Sequence, residues 1–190
     1  MTHCCSLAAV HTIDLSRCNR ITDEGVKALA GVHTINLSCC GGITDEGVKT
    51  LAGVHTIDLS CCGGITDEGF KARRCATINL SNCPGITDEG VKALAGAHSI
   101  KLSGCRQFTD EGVEALAGVH TVFLASSDRI TDEGIKALVG VHTVKLNDLD
   151  LITGEGVMAL AGVPAIKLNN LYFITPEFLL AMAAVRTPSP

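Results

Sequence analysis

Apolar positions recur along this chain in a fixed figure. It reads Val-x-x-Ile-x-Leu-x-x-Cys, a short polar gap, Ile, and then Thr-Asp-Glu-Gly-Val-Lys-Ala-Leu-Ala-Gly. The opening segment His-Thr-Ile/Val-x-Leu starts at His11, His33, His55, His98, His120 and His142, with serine for threonine after His98 and degenerate copies from Ala76 and Pro164. The spacings are 22, 22, 21, 22, 22, 22 and 22 residues. In the copy that begins at Val32, alternation of Ile35 and Leu37 predicts a short strand with Val32 turned inward before it. Cys40 turns inward next, Gly41-Gly42 permit a bend, and Ile43 seals the layer. Thr44 is then placed to cap a short helix whose first turn holds Asp45 and Glu46, favourable to the helix dipole. Val48 and Leu51 form the buried stripe, Asp45 and Lys49 are expected to face one another outside, and Gly53 is expected as the C′ residue. No such unit buries its apolar face alone, so a period of this length predicts a stacked solenoid.

The pattern Val-x-x-Ile-x-Leu-x-x-Cys-x-x-Ile-Thr-Asp-Glu-Gly-Val-Lys-Ala-Leu-Ala resembles the leucine-rich repeat, and within it the cysteine-containing subtype found in the substrate-recognition arms of F-box proteins. The resemblance covers residues of roughly 7 to 185. The subtype usually has longer repeats, so the helices here are shorter than its norm, and no F-box segment lies in the chain. The resemblance implies an α/β horseshoe with a parallel concave sheet of about eight strands, short helices on the convex side and protein binding as its use. One domain is expected over 1–190. It comprises a partial repeat at 1–9, repeats over 10–173, a capping helix over 174–185 and a tail at 186–190.

Composition narrows the function. A net charge of −5 argues against nucleic acid as partner. No apolar run approaches the roughly 18 residues of a membrane span, and residues 1–9 have neither the basic nor the apolar region of a signal peptide. Of ten cysteines, Cys18, Cys40, Cys62, Cys83 and Cys105 occupy one place in successive repeats and are expected to form an interior column of free thiols. That reading favours a reducing compartment: cytoplasm, nucleus or host cytosol.

Three features tempt a chemical reading. The histidine column stacks imidazoles side by side at the strand spacing of about 4.8 Å, whereas metal ligation needs groups that converge. Cys39 and Cys61 should point away from the column that holds Cys40 and Cys62, so the two Cys-Cys pairs do not form a zinc tetrahedron. Cys39 and Cys61 are better candidates for oxidation than for zinc. The six Asp-Glu pairs recur in every rung from Asp23-Glu24 to Asp132-Glu133, whereas an active site is normally unique in a chain. First-turn charge accounts for them. No catalytic residue, cofactor or metal is expected.

Binding residues should be sought where the repeats disagree. The outward strand position reads Asp14, Asn36, Asp58, Asn79, Lys101, Phe123, Lys145 and Lys167. The first half is acidic or neutral, and the second is basic with one aromatic. In a chain of 3% aromatic residues, Phe123 is expected to protrude as an apolar anchor. Lys101, Lys145, Lys167 and Arg129 would steer an acidic protein partner, over a floor that includes Thr121 and Thr143. The alternative is a structural scaffold that self-associates through exposed array ends. A one-residue deletion around Arg73-Arg74 and the apolar segment from Ile174 mark where the array is least regular.

Overall fold

A computed structural model describes residues 10–71 and 76–180. The partial repeat at 1–9, the Arg73-Arg74 break and the tail lie outside the described residues, as does the second half of the expected capping helix, whose residues 176–180 are helical.

Eight parallel strands form one open sheet in sequence order: β1 (Thr12–Asp14), β2 (Thr34–Asn36), β3 (Thr56–Asp58), β4 (Thr77–Asn79), β5 (Ser99–Ser103), β6 (Thr121–Ala125), β7 (Thr143–Asn147) and β8 (Ala165–Asn169). Equivalent repeat positions pair across every step, so Thr12 faces Thr34 and Lys101 faces Phe123. Between strands the chain returns through α1 (Asp23–Lys27), α2 (Asp45–Thr50), a 3-10 turn (Asp67–Gly69), α3 (Asp88–Ala93), α4 (Asp110–Glu114), α5 (Asp132–Lys136) and α6 (Gly154–Ala159), with further 3-10 turns at Ala115–Gly118, Ala137–Gly140 and Leu160–Gly162. Together they make an α/β leucine-rich-repeat type of solenoid, with the core between sheet and helices. Val32, Ile35, Leu37, Cys40, Ile43, Val48 and Leu51 are all buried, as the alternation predicts.

Two local expectations are corrected. Gly53 does not take the left-handed conformation of a C′ cap, since Gly104 is the one glycine with positive φ among the described residues. The bend after each strand is made instead one residue before the column cysteine, at Arg17, Cys39, Cys61, Asn82, Gly104, Ser126, Asp148 and Asn170, all with φ between 48° and 67°. Gly42 and Gly85 serve close approach rather than bending: a Cβ there would lie 2.4 and 2.5 Å from the carbonyl oxygens of Ile21 and Ile65 in the preceding rung.

The Asp-Glu pairs hold a further surprise. Glu46, not Asp45, pairs with Lys49, at 2.7 Å and a spacing of three residues. Asp45 reaches into the next rung, where its carboxylate accepts from the Thr66 amide at 2.8 Å and the Thr66 hydroxyl at 2.6 Å. The same clasp joins Asp23 to Thr44, Asp67 to Thr87, Asp88 to Thr109, Asp110 to Thr131 and Asp132 to Thr153. Each receiving threonine also caps its own helix, its oxygen accepting from the glutamate amide two residues on. The glycine of the motif makes room for the carboxylate. At Gly90, a Cβ would fall 2.1 Å from Asp67 Oδ1, and at Gly134 it would fall 2.4 Å from Asp110 Oδ1. Thr-Asp-Glu-Gly is therefore one inter-rung fastening, and helix-dipole compensation alone does not explain it.

The cysteine column fastens the rungs from inside. The thiols of Cys40, Cys62, Cys83 and Cys105 donate to the carbonyls of Leu15, Leu37, Leu59 and Leu80 at 3.0–3.2 Å. Burial pushes Cys62 up to about 11 and Cys83 up to about 12, so both stay protonated. Cys18, expected in the same column, is exposed instead.

Candidate protein-binding face

The outward column of the sheet divides into two kinds of position. In β1 to β4, each Asp or Asn side chain is bonded to the serine two residues on: Asp14 accepts from the Ser16 amide, Asn36 from Ser38, Asp58 from Ser60 and Asn79 from Ser81, at 2.9–3.1 Å. This is the Asx-type local bond that short polar side chains form at the end of a strand. Asp58 is held further by the Ser60 hydroxyl at 2.6 Å and by the Asn79 amide at 2.8 Å. The Ser16 amide and hydroxyl beside Asp14 hold its carboxyl below the usual carboxylate range. These four strands are three residues long.

From β5 onward the turn-forming residue is gone from the column and the strands lengthen to five residues. Lys101, Phe123, Lys145 and Lys167 stand in register on adjacent strands, with Lys101 and Lys167 exposed and Lys145 half-buried. Phe123 is also half-buried, which corrects the expectation that it protrudes: the longer lysines on either side are its neighbours in the sheet. Thr121 and Thr143 flank the column and are half-buried, their hydroxyls 3.3 and 3.1 Å from Nδ1 of His120 and His142. Arg129 is exposed but lies in the turn between β6 and α5, off the strand column, so it is not brought together with the other six.

Lysine pairing separates the two faces of the solenoid. On the helix side Lys27, Lys49, Lys71, Lys92 and Lys136 each pair with a glutamate three residues earlier, and Lys92 also bridges to Glu111. Among the described residues, Lys101, Lys145 and Lys167 make no ion pair. They are the lysines of the sheet face.

Hollows lie on the sheet face and at its turn edge. A shallow groove of about 220 Å³ runs over Thr34, Asn36, Thr56, Asp58 and Asn79 and ends at Lys101. A polar cleft of about 330 Å³ lies at the turn edge of the later rungs, lined by Arg106, Asp128, Asp148, Asp150 and Tyr172. Tyr172 and Phe173 are the most exposed aromatics, at 80% and 59%. Their position past the last strand was visible in the chain, but not their exposure, which depends on how much of that end the following residues cover. Among the described residues no group of three or more His, Cys, Asp or Glu side chains is placed to hold a metal ion, and no helix is long and apolar enough to cross a membrane.

The leucine-rich repeat profile matches residues 10–30, 32–52, 54–72, 77–95 and 98–117, more than half of the chain. The chain belongs to the leucine-rich repeat family. The match is to the repeat as such and does not single out the cysteine-containing subtype. No curated protein sequence matches the chain. Among solved structures this leucine-rich repeat is similar to internalin C2 of Listeria monocytogenes, with a TM-score of 0.63 and 18% identity over 90% of this chain and 76% of that one. It is similar also to a chain of the yeast Rad7–Elc1 complex, with a TM-score of 0.58 and 16% identity over 88% of this chain but 43% of that one. Human trophoblast glycoprotein 5T4 is a third, at 0.53 and 13%, over 86% and 78%. At such identities the likeness is one of fold.

Proposed function

We propose that this leucine-rich repeat is a non-catalytic protein-binding module, whose docking face is the later half of the sheet. The observation that carries the reading is the contrast between the helix-side lysines, each neutralised by a glutamate, and Lys101, Lys145 and Lys167, left unpaired around Phe123. Three cations on one sheet face, two of them exposed, suit an acidic protein partner and would act on its association rate more than on final affinity. Phe123 contributes an apolar surface between them, and Thr121 and Thr143 a small polar margin. Arg129 adds charge at the turn edge. That a structural neighbour was solved as a complex, Rad7 with Elc1, supports a protein as the partner class. A substrate-recognition adaptor of the F-box type is one specialisation of this reading, and the reduced interior thiols suit a cytoplasmic or nuclear setting.

The test is a lysate pull-down with the parent beside a Lys101→Glu, Phe123→Ala, Lys145→Glu variant of equal melting temperature. The expected result is a partner retained by the parent, lost by the variant and captured less well as salt is raised. Identical capture lists would overturn the assignment of the face.

A second reading has its own observation. Tyr172, Phe173, Leu179 and Leu180 are exposed together past the last strand, an apolar end suited to stacking one array on another. Sedimentation over a wide concentration range separates the readings: the binding module stays monomeric, whereas a scaffold gains mass without any partner.

A further inference from the structure

Cys39 and Cys61 sit in the left-handed bend position of successive rungs, with φ of 58° and 60°. That conformation is uncommon for a side chain other than Asn, Asp or Gly. Both residues are tied into the same ladder: the Cys39 amide donates to the Ser60 carbonyl at 2.7 Å and the Cys61 amide to the Ser81 carbonyl at 2.8 Å. Neighbouring strands lie about 4.8 Å apart, inside the span of about 4.4–6.8 Å between Cα atoms that a disulfide bridges. Hydrogen bonding to Cys61 is the chief influence on Cys39 and pushes its thiol up, with burial next, while the Arg17 guanidinium one rung earlier pulls it down. On the other side the Asn82 side-chain amide donates to Cys61 Sγ at 3.6 Å. The turn edge thus runs cation, thiol, thiol, amide donor across four rungs.

We propose that Cys39 and Cys61 form a redox-active dithiol that a low-molecular-weight disulfide closes into a reversible bond between the second and third rungs. Cys61, the exposed member, gives up its proton to solvent. Its thiolate attacks one sulfur of the oxidant RSSR, forming a mixed disulfide and releasing one RS⁻, which takes up a proton. Cys39 then loses its proton, its thiolate attacks the Cys61 sulfur, and the second RS⁻ leaves and is protonated in turn. Two protein thiols are oxidised to one disulfide, and one RSSR is reduced to two RSH. Asn82 stabilises negative charge on Cys61, and Arg17 does so on Cys39.

Among the described residues, selectivity follows from the placement of the other thiols. Cys40, Cys62, Cys83 and Cys105 are buried, donate to main-chain carbonyls and are pushed up by burial. Cys18 is exposed, but its rung neighbour in the interior column, Cys40, is covered, so Cys18 stops at a mixed disulfide. Cys39 and Cys61 stand at equivalent bends of neighbouring rungs, and a bond formed at so accessible a place is readily reduced. Under a reducing glutathione pool the pair rests as thiols and closes when the pool is oxidised.

The test uses the full chain, exposed to oxidised glutathione at mildly alkaline pH, then blocked with N-ethylmaleimide and analysed by intact mass and peptide mapping. The expected product carries a Cys39–Cys61 bridge free of bound glutathione, while Cys18 carries a glutathione adduct, and dithiothreitol restores the Cys39 and Cys61 thiols. Cys39→Ser should stop at a persistent glutathione adduct on Cys61, and Asn82→Ala should slow bridge formation several-fold. Two results each overturn the proposal: native protein that accumulates the Cys61 adduct without closing, or that leaves both thiols free while Cys18 reacts. If Cys39→Ser fails to fold, the peptide map of the native chain decides alone.

Discussion

The early and late halves of the sheet share one backbone and one core, yet use their outward column in opposite ways. From β1 to β4 the column is Asp or Asn, and every one of these side chains is spent on its own turn through the serine two residues on. From β5 to β8 the column is Lys or Phe, the strands are longer, and no local bond consumes the side chain. The early column is therefore scaffold that resembles surface, and the late column is surface with no scaffold duty. Variation between repeats becomes a guide to function only after the residues that the turns require are set aside.

The largest effect is expected where the halves join. Asp88, in α3, accepts from the Thr109 amide at 2.7 Å, the Thr109 hydroxyl at 3.0 Å and the Gly112 amide at 3.0 Å. Asp88→Ala leaves those donors without their carboxylate, and charged hydrogen bonds of this kind are each worth about 1.5–3 kcal/mol. A loss of about 3 kcal/mol in urea unfolding is expected, with the two halves no longer melting as one. A loss below about 0.5 kcal/mol would show that the rungs are held by the core and backbone ladder alone.

Next in size is the contrast inside the column itself. Asp58→Ala removes bonds from the Ser60 amide, the Ser60 hydroxyl and Asn79, and should cost about 1–2 kcal/mol. Lys145→Ala, at the equivalent place in β7, should change stability by less than about 0.5 kcal/mol, because no ion pair is lost. Chemical denaturation of the two single variants checks this directly. The reverse order would break the comparison and return the early half to candidacy as a binding face.

Much of this was legible in the chain. The period and the inward figure of Val32, Ile35, Leu37, Cys40 and Ile43 fix the strand, its faces and the register, because a slip would expose every one of them. The late column was legible too, since Lys101, Phe123, Lys145 and Lys167 depart from the repeat. What escaped was contact between rungs. Asp45 has a basic neighbour four residues on, so a local partner was the natural reading, while its true partner Thr66 is 21 residues away. The motif carried an unread signal: a glycine in every helix, at a real cost in helix propensity, needs a steric reason, and the carboxylate of the previous rung supplies it. Phe123 was misjudged for a related reason, as its exposure is set by neighbours on adjacent strands.

Where the fastening is missing, opening should begin. Gly154 stands where the motif has aspartate, and Phe178 packs over it so closely that a Cβ would lie 2.6 Å from the ring. Thr175 therefore receives no carboxylate from α6, and Ile166 and Leu168 of β8 are only half-buried. Amide exchange should be fastest in β8 and residues 171–180 and slowest from β3 to β6. Uniform protection along the array would mean that this end is covered as well as the middle.

The smallest effect is the one in which the halves should agree. Stacked imidazoles run His11–His33–His55 and His98–His120–His142, at ring separations of 4.4–4.5 Å, with Ala76 interrupting the file between them. In both triplets the middle member is shifted the same way: partial desolvation, then the charge of the histidine on either side, pulls His33 and His120 below the ordinary value of 6.5. The sign is fixed by linkage. Above 6.5 both folded and unfolded chains hold these rings neutral and nothing is lost. Below 6.5 the unfolded chain binds protons that the folded stack resists, so stability falls until the folded rings also titrate. The melting temperature should therefore decline modestly from pH 7 to pH 5, a range above the titration of Asp14 and Glu68, whose carboxyls are held low. His33→Gln and His120→Gln should each flatten part of that decline, and by similar amounts, because the ladder is scaffold in both halves. A midpoint unchanged across the range would discard the ladder as a source of pH dependence, and flattening by His120→Gln alone would mean that the late half differs in more than its outward column.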